Sequence, residues 1–461
     1  GVAGAGALVA DGGVPGVDDQ IVFTRFQDVG GPAPSSHYRG LRYGANIVSA
    51  TTVLRNAVVE FGGRVNADPN RGAVEVLAGS APVIVDSIVR ESFNYGLYAQ
   101  AGAGSGASAW FDGNQLTANG RAPINIGSDE VSTLGPNLDL LANVEDRVYV
   151  RGSLVTRANA TWNNYGVPYY LSSDISVRGG STMTITPGTE LRFAPTGRLR
   201  VSTNGEDGTL VAAGTPEAPI RMLADSGTWN GVHLDDRIQS GTVLRNVRIE
   251  GYGSGVNGGL RVDNPSNPGD RIAIVENCLL QSSEAGSTGV YLADNARVSS
   301  FENNVIDVDA LSVSASMGGF DDVLGASNTY EAPLRVRGSA VAGRNLFWDK
   351  PIASDASTQP IRPSGNVSVT DGSLNIQAGN RIEMPLNGTV TMTNSQLVVS
   401  GTGSEPVLFE PAAGVDYWNR IRLRGTGSTG ASSILHAVLQ AAGSSPGTAA
   451  GTTRAAITVE T

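Results

Sequence analysis

Two pairs of aspartates are spaced for chemistry. Asp307 and Asp309 stand two apart in "IDVDAL", so on a strand both side chains leave the same face. Asp321 and Asp322 follow in "GGFDDVLG". Carboxylates on neighbouring strands supply a general acid and base, or the oxygens of a hard-cation site. Asp307 and Asp309 are the calcium candidates, and no other metal or cofactor is implied. His233, two before Asp235 in "VHLDD", is a candidate general base. The three histidines, His37, His233 and His436, share no register and are poor material for a metal site. A competing reading makes the aspartates solvated loop residues, because Thr117 and Asn119 stand where Asp307 and Asp309 would fall in an earlier repeat. Cys278, the single cysteine, reads as a small inward-facing apolar residue.

Aromatic residues offer a second kind of site. Trp110 recurs nowhere else in the chain, and "FNYGLYAQ" shortly before it adds Tyr95 and Tyr98. Tyr95, Tyr98 and Trp110 are therefore the candidate ligand contacts, as ring faces for a sugar. The other tryptophans recur in pairs. Trp162 in "RANATW" matches Trp348 in "GRNLFW", and Trp229 in "WNGVHL" matches Trp418 in "WNRIRL". Recurrence at a fixed register is what packing demands, so these four are assigned structural roles.

The elements that position these residues come in a long repeat. Leu54, Leu244 and Leu435 mark equivalent points in "TTVLRNAVVEF", "GTVLRNVRIEG" and "SSILHAVLQAA", about 190 residues apart. Internal repeats decide the fold class before any local reading does. Within each repeat, short alternating apolar runs follow one another, bounded by Gly, Asn, Asp and Ser, as strands with one buried face would be. The best candidate for a helical stripe, 137–148, is weak. Asn56 and Asn114 bracket Ser87 at spacings of 31 and 27, and Asn246, Asn277 and Asn304 repeat those spacings. Coils stacked about 4.8 Å apart would place such asparagines one above another at a turn, each bonding the next coil's backbone.

These patterns resemble the right-handed parallel β-helix in its W-x-G-[IV] form, within the broad pectate-lyase-like superfamily. The resemblance rests on Pro187-Gly188-Thr189 with Phe193, on Gly208, Leu210, Ala212, Gly214, Thr215, Pro219 and Ile220, and on the Trp229 motif they lead into. It extends over nearly the whole chain in three phases. Tyr38 replaces the Trp in the first phase, and Arg420 replaces the glycine in the third. The resemblance implies a fold more than an activity, since lyases, hydrolases, adhesins and surface stalks share the scaffold. The "NTD", "GHG" and "RIK" clusters of its glycoside hydrolases and the "WIDH"-like segment of its calcium-dependent lyases are missing from this sequence.

The expected fold is thus all-β, a right-handed parallel β-helix, one continuous solenoid in three units: 1–145, 146–332 and 333–461. The first unit is entered and the third is left in mid-repeat, as in a segment of a longer array. Loops at 101–108, 121–136, 263–269 and 350–364 are expected to project. Charge excludes some partners: the net charge is −11, 31 of the 32 basic residues are arginine, and no basic cluster suits nucleic acid. No apolar run is long enough to span a membrane. The expected function is a non-enzymatic exported protein of the cell surface or periplasm, structural or adhesin-like, with polysaccharide or other surface proteins as partners. The alternative is a polysaccharide lyase or glycoside hydrolase.

Overall fold

The computed structural model describes residues 8–13, 20–24, 37–45, 47, 51–63, 71–104, 107, 109–253, 258–263, 273–294, 296–325, 327–338, 340–425, 432–443 and 455–460. Two compact units divide the chain, Gly1–Trp229 and Asn230–Thr461. Each is a parallel β-helix.

Every strand pairing described in the first unit is parallel. One of its sheets runs through Leu41–Tyr43, Gly72–Val76, Tyr95–Ala99, Ile124–Gly127, Val148–Arg151, Tyr169–Leu171, Glu190–Phe193 and Ile220–Ala224. Residues paired across neighbouring coils lie 21 to 44 apart in sequence. Parallel neighbours cannot be joined by a hairpin, so the chain must travel around the rest of the coil before pairing again. The same holds in the second unit, where Val232–Leu234, Leu260–Val262, Thr288–Leu292, Leu311–Ser316, Leu334–Arg337, Ile361–Pro363 and Arg381–Met384 follow one another in one sheet.

Alternation builds the interior. In Ser181–Ile185 and Gly208–Ala213 every second residue is buried. Leu191, Phe193, Leu210, Ala212, Leu244 and Val262 are fully enclosed, and each enclosed Leu or Val side chain contributes roughly 1.5–3 kcal/mol relative to exposure. The four recurring tryptophans lie inside the coils: Trp162, Trp229 and Trp418 are 0% and Trp348 1% exposed. Trp229 stacks on Phe193 at 4.4 Å and Trp418 on Phe409 at 6.0 Å. No α-helix occurs among the described residues. The segment 137–148 is irregular until the strand that begins at Val148, and the only helical turns described are the 3-10 turns Val131–Thr133 and Phe320–Asp322.

The asparagines do form ladders, but the register differs from the expected one by a residue. Pairing sets Asn56 level with Asp86 and Gly113, not with Ser87. It likewise sets Asn246 level with Asn277 and Asn303. This outer register is a left-handed corner, with φ between 45° and 64° at all six positions. Asparagine and glycine suit it because they tolerate that backbone. The next residue turns inward and carries the ladder: Ser87 and Asn114 in the first unit, Cys278, Asn304 and Asn328 in the second. Asn114 Oδ1 accepts from the Ser87 amide at 2.9 Å, and Asn304 Oδ1 accepts from the Cys278 amide at 2.9 Å. Asn328 Oδ1 accepts from the Asn304 amide at 2.8 Å. A second ladder, Ser92, Asn119 and Asn143, lines another corner of the first unit.

The loops differ from expectation as well. Residues 121–136 do not project: they contain the strand Ile124–Gly127, and 122–128 are buried throughout. Residues 350–364 expose Ser354–Ser357 but include the strand Ile361–Pro363. Residues 105, 106, 108 and 264–269 lie outside the described residues.

Candidate functional site

The aspartates singled out in the sequence are held by local partners. Asp307 lies on the strand Val305–Val308, and its Oδ2 accepts from the Gln281 side-chain amide at 2.7 Å. Asp309 lies beyond the strand's end and accepts from the Gly286 amide at 3.1 Å. Asp322 is bound by Arg297, with Nη2 at 2.6 Å from Oδ1, and by the Val298 amide at 3.3 Å. Arg344 Nη2 reaches both oxygens of Asp321 at 3.2 Å. Burial nonetheless raises the Asp321 carboxyl above its ordinary range, against the pull of Arg344. Asp321 and Asp322 thus tie the turn Phe320–Asp322 to its neighbours. His233 is 4% exposed, with Nε2 2.9 Å from the Asn230 carbonyl oxygen. A carbonyl only accepts, so this contact makes Nε2 the donor, and the ring is enclosed. Among the described residues no three His, Cys, Asp or Glu side chains converge to hold a metal ion.

A shallow recess of about 290 Å³ surrounds Asp307 and is also lined by Glu250, Gln281 and Ser282. Glu250, Gln281 and Asp307 occupy successive rungs in register. The two carboxylates therefore rise from strands about 10 Å apart.

The aromatic assignment needs correction. Trp110 is 1% exposed and donates from Nε1 to Thr133 Oγ1 at 2.7 Å. A Cβ on Gly104, whose φ is +67°, would stand 2.1 Å from that nitrogen, so the indole fills the space the glycine leaves. Tyr95 is also 1% exposed. Neither ring offers a face to a ligand. Tyr98 is half-buried, and it belongs with residues that sequence inspection did not single out.

Strand alternation puts those residues on the outer face of the first unit's sheet. Val148 and Val150 point in while Tyr149 points out, and Tyr169 and Leu171 point in while Tyr170 points out. Register then aligns Tyr98, Asn125, Tyr149, Tyr170 and Arg192 on successive coils. The Tyr149 and Tyr170 ring centroids are 5.0 Å apart. Arginines cover them: Arg121 lies 4.6 Å from the Tyr149 ring, Arg147 5.4 Å from the Tyr170 ring, and Arg151 4.3 Å from the Tyr98 ring. Such contacts are worth about 0.5–1 kcal/mol each at exposed positions. Carboxylates fix the arginines in turn, Glu145 and Asp225 holding Arg147 at 3.3 and 3.2 Å. Glu145 also accepts the Tyr149 hydroxyl at 2.6 Å. Burial raises the Tyr149 phenol above its ordinary range, and the Glu145 carboxylate adds to that rise. The face is a fixed mosaic of ring edges, guanidinium groups and carboxylates. The alternation "RVYVR" beside "PYYL" was the signal in the sequence that could have found it.

No protein-family model, curated protein or solved structure matches this chain. No helix of the described residues is long and apolar enough to cross a membrane.

Proposed function

We propose that this chain is a non-enzymatic, exported structural protein, adhesin-like in role, whose first unit presents a saccharide-binding face at Tyr98, Tyr149 and Tyr170. The observation that carries the reading is the in-register ladder of half-buried tyrosines, each bracketed by an arginine. Its tyrosine rings supply apolar surface for the C–H patches of a sugar, and its pre-oriented guanidinium and carboxylate groups match the hydroxyls. A β-helix supplies such a face as a regular surface of any length. The cell surface or periplasm is the compartment this role requires, with polysaccharide or other surface proteins as partners.

The test is retention of the protein in gels carrying neutral or acidic polysaccharides, with Tyr149→Ala and Tyr170→Ala made together. The double variant is expected to lose retention on at least one polysaccharide without losing its fold. Unchanged retention would remove the face from the account.

The recess between Glu250 and Asp307 favours a second reading, a glycoside hydrolase or polysaccharide lyase. Carboxylates rising from strands two rungs apart lie near the separation an inverting hydrolase uses. That reading predicts new reducing ends or unsaturated products that vanish in Asp307→Asn. Calcium at Asp307 and Asp309 would show as activity or retention that depends on the ion.

A further inference from the structure

A different face of the second unit carries a groove of about 400 Å³, in which Arg335, Arg337 and Arg362 converge with Tyr291, Thr288 and Ser314. No carboxylate lines it. The chain as a whole has a net charge of −11, and most of its arginines are matched to a nearby Asp or Glu. A recess lined by three guanidinium groups and no acid is therefore a local reversal of sign.

The register explains how the groups meet. Tyr291, Ser314, Arg335 and Arg362 stand on four successive rungs of one sheet. Arg335 and Arg362 are thus about 5 Å apart at the backbone. Arg337 is two residues beyond Arg335 on the same strand and so leaves the same face, about 7 Å along. The three cations define a triangle, not a line.

Several of the groove's donors have no partner among the described residues. Arg335 is exposed and forms no ion pair among the described residues. Ser314 and Thr288 are each 5% exposed, and neither hydroxyl has a hydrogen-bond partner among the described residues. Arg337 Nε is buried with no partner. These donors line the groove, so a ligand's oxygens can meet them without breaking a bond already made within the protein. The other arginines are held in position. Arg337 lies 4.0 Å from the Tyr291 ring centroid and donates to the Leu292 carbonyl oxygen. Arg362 is fixed by Glu383 at 2.6 Å. At the margin, Asp294 stands 3.8 Å from Arg337 and is 80% exposed, which leaves its charge largely screened.

We propose that this groove binds a tetrahedral oxyanion, a sulfate ester or phosphate monoester, carried on a sugar-sized ligand. Three guanidinium groups at the corners of a triangle, with two hydroxyls on the rungs beside them, match the three free oxygens of such an ester. A planar carboxylate would occupy one arginine fork and leave the others unmet. The volume suits one sugar residue with its ester.

The test is titration calorimetry of the full chain with galactose 6-sulfate, glucose 6-phosphate, galacturonate and galactose, at two salt concentrations. Binding of one or both esters is expected, weakening as salt rises, with galacturonate and galactose at least tenfold weaker. The ester that binds identifies the source. Arg335→Gln should weaken that binding at least tenfold, and Ser314→Ala several-fold. The thermal midpoint of the Arg335 variant should not move, because that side chain is exposed and unpaired. The Tyr149→Ala and Tyr170→Ala double variant should bind the ester as before, which separates this site from the tyrosine face. Wild-type affinity in Arg335→Gln, galacturonate bound as tightly as the esters, or no ester bound at millimolar concentration would each overturn the proposal.

Discussion

Removing Asn304 should loosen the second unit at one identifiable amide. The side chain is fully enclosed. Its Oδ1 accepts from the Cys278 amide at 2.9 Å, and its Nδ2 donates to the Val275 carbonyl oxygen at 3.0 Å. In Asn304→Ala the Cys278 amide faces a cavity. An unmade buried donor costs about 1–3 kcal/mol, and the carbonyl and lost packing add roughly 1 more, for a total near 2–4 kcal/mol. Since a solenoid's coils can open locally, the assay is hydrogen exchange at the Cys278 amide, supported by the urea midpoint. Protection there should fall by roughly 30- to 1,000-fold. Asn304→Asp sharpens the test. It keeps the acceptor but sets a buried carboxylate against the Val275 carbonyl, so its folded pKa is raised above the unfolded value. The variant should then be closest to wild type below about pH 4 and should lose stability as pH rises towards neutrality. Protection within a factor of three of wild type in Asn304→Ala, or an aspartate variant with no such pH trend, would refute the ladder as a source of stability.

Other expectations follow from the same contacts. Gly231→Ala should destabilise strongly: the glycine sits at φ +74° and an added Cβ would lie 2.4 Å from the Gly259 carbonyl oxygen, so strain of about 1–3 kcal/mol from backbone alone is joined by a backbone clash; a urea midpoint equal to wild type would contradict this. Cys278→Ser should be tolerated, because Ser87 occupies the equivalent inward position and its hydroxyl bonds the Val85 carbonyl at 2.8 Å. Burial pushes the Cys278 thiol up to about 12. Because the folded pKa is the higher one, the thiol's contribution is intact below about pH 8.5 and is lost as pH rises towards 12, so wild type should lose stability relative to Cys278→Ser across that window. Asp322→Ala strands Arg297, whose side chain is 12% exposed, and should cost about 3–5 kcal/mol, whereas Arg297→Met with Asp322→Leu should cost much less than the two single changes summed. Denaturant melts of Asp322→Ala, of the two single changes and of their double decide it.

Much of the fold could be read from the sequence, because a solenoid writes its packing as a period. Alternation in "STMTITP" and "GTLVAAG" told which side chains enter the core, and the recurrence of Trp162 and Trp348 told that their places are alike. Side-chain spacing could not tell a left-handed corner residue from the inward residue that follows it. Both repeat with the coil, and so spacing alone aligns Asn56 with Ser87 and Asn246 with Asn304, although the sheet register sets each pair one position apart. Non-recurrence was also a poor guide to exposure. Trp110 is unique because Gly104 makes room for it locally, and not because it meets a ligand. The tyrosine face and the arginine groove are each assembled from different coils, 21 to 27 residues apart. No short motif spans that distance, and only the register of the sheet brings the parts together.

The most direct test of a structural protein with a saccharide-binding face is one experiment on a panel of neutral and acidic polysaccharides, with and without calcium. Retention is measured together with new reducing ends and ultraviolet-absorbing unsaturated products. The account predicts retention on at least one polysaccharide, abolished by changing Tyr149 and Tyr170 to alanine, with no chain cleavage. Cleavage that disappears in Asp307→Asn, with retention indifferent to the tyrosines, would contradict it and place an active site in the recess beside Glu250.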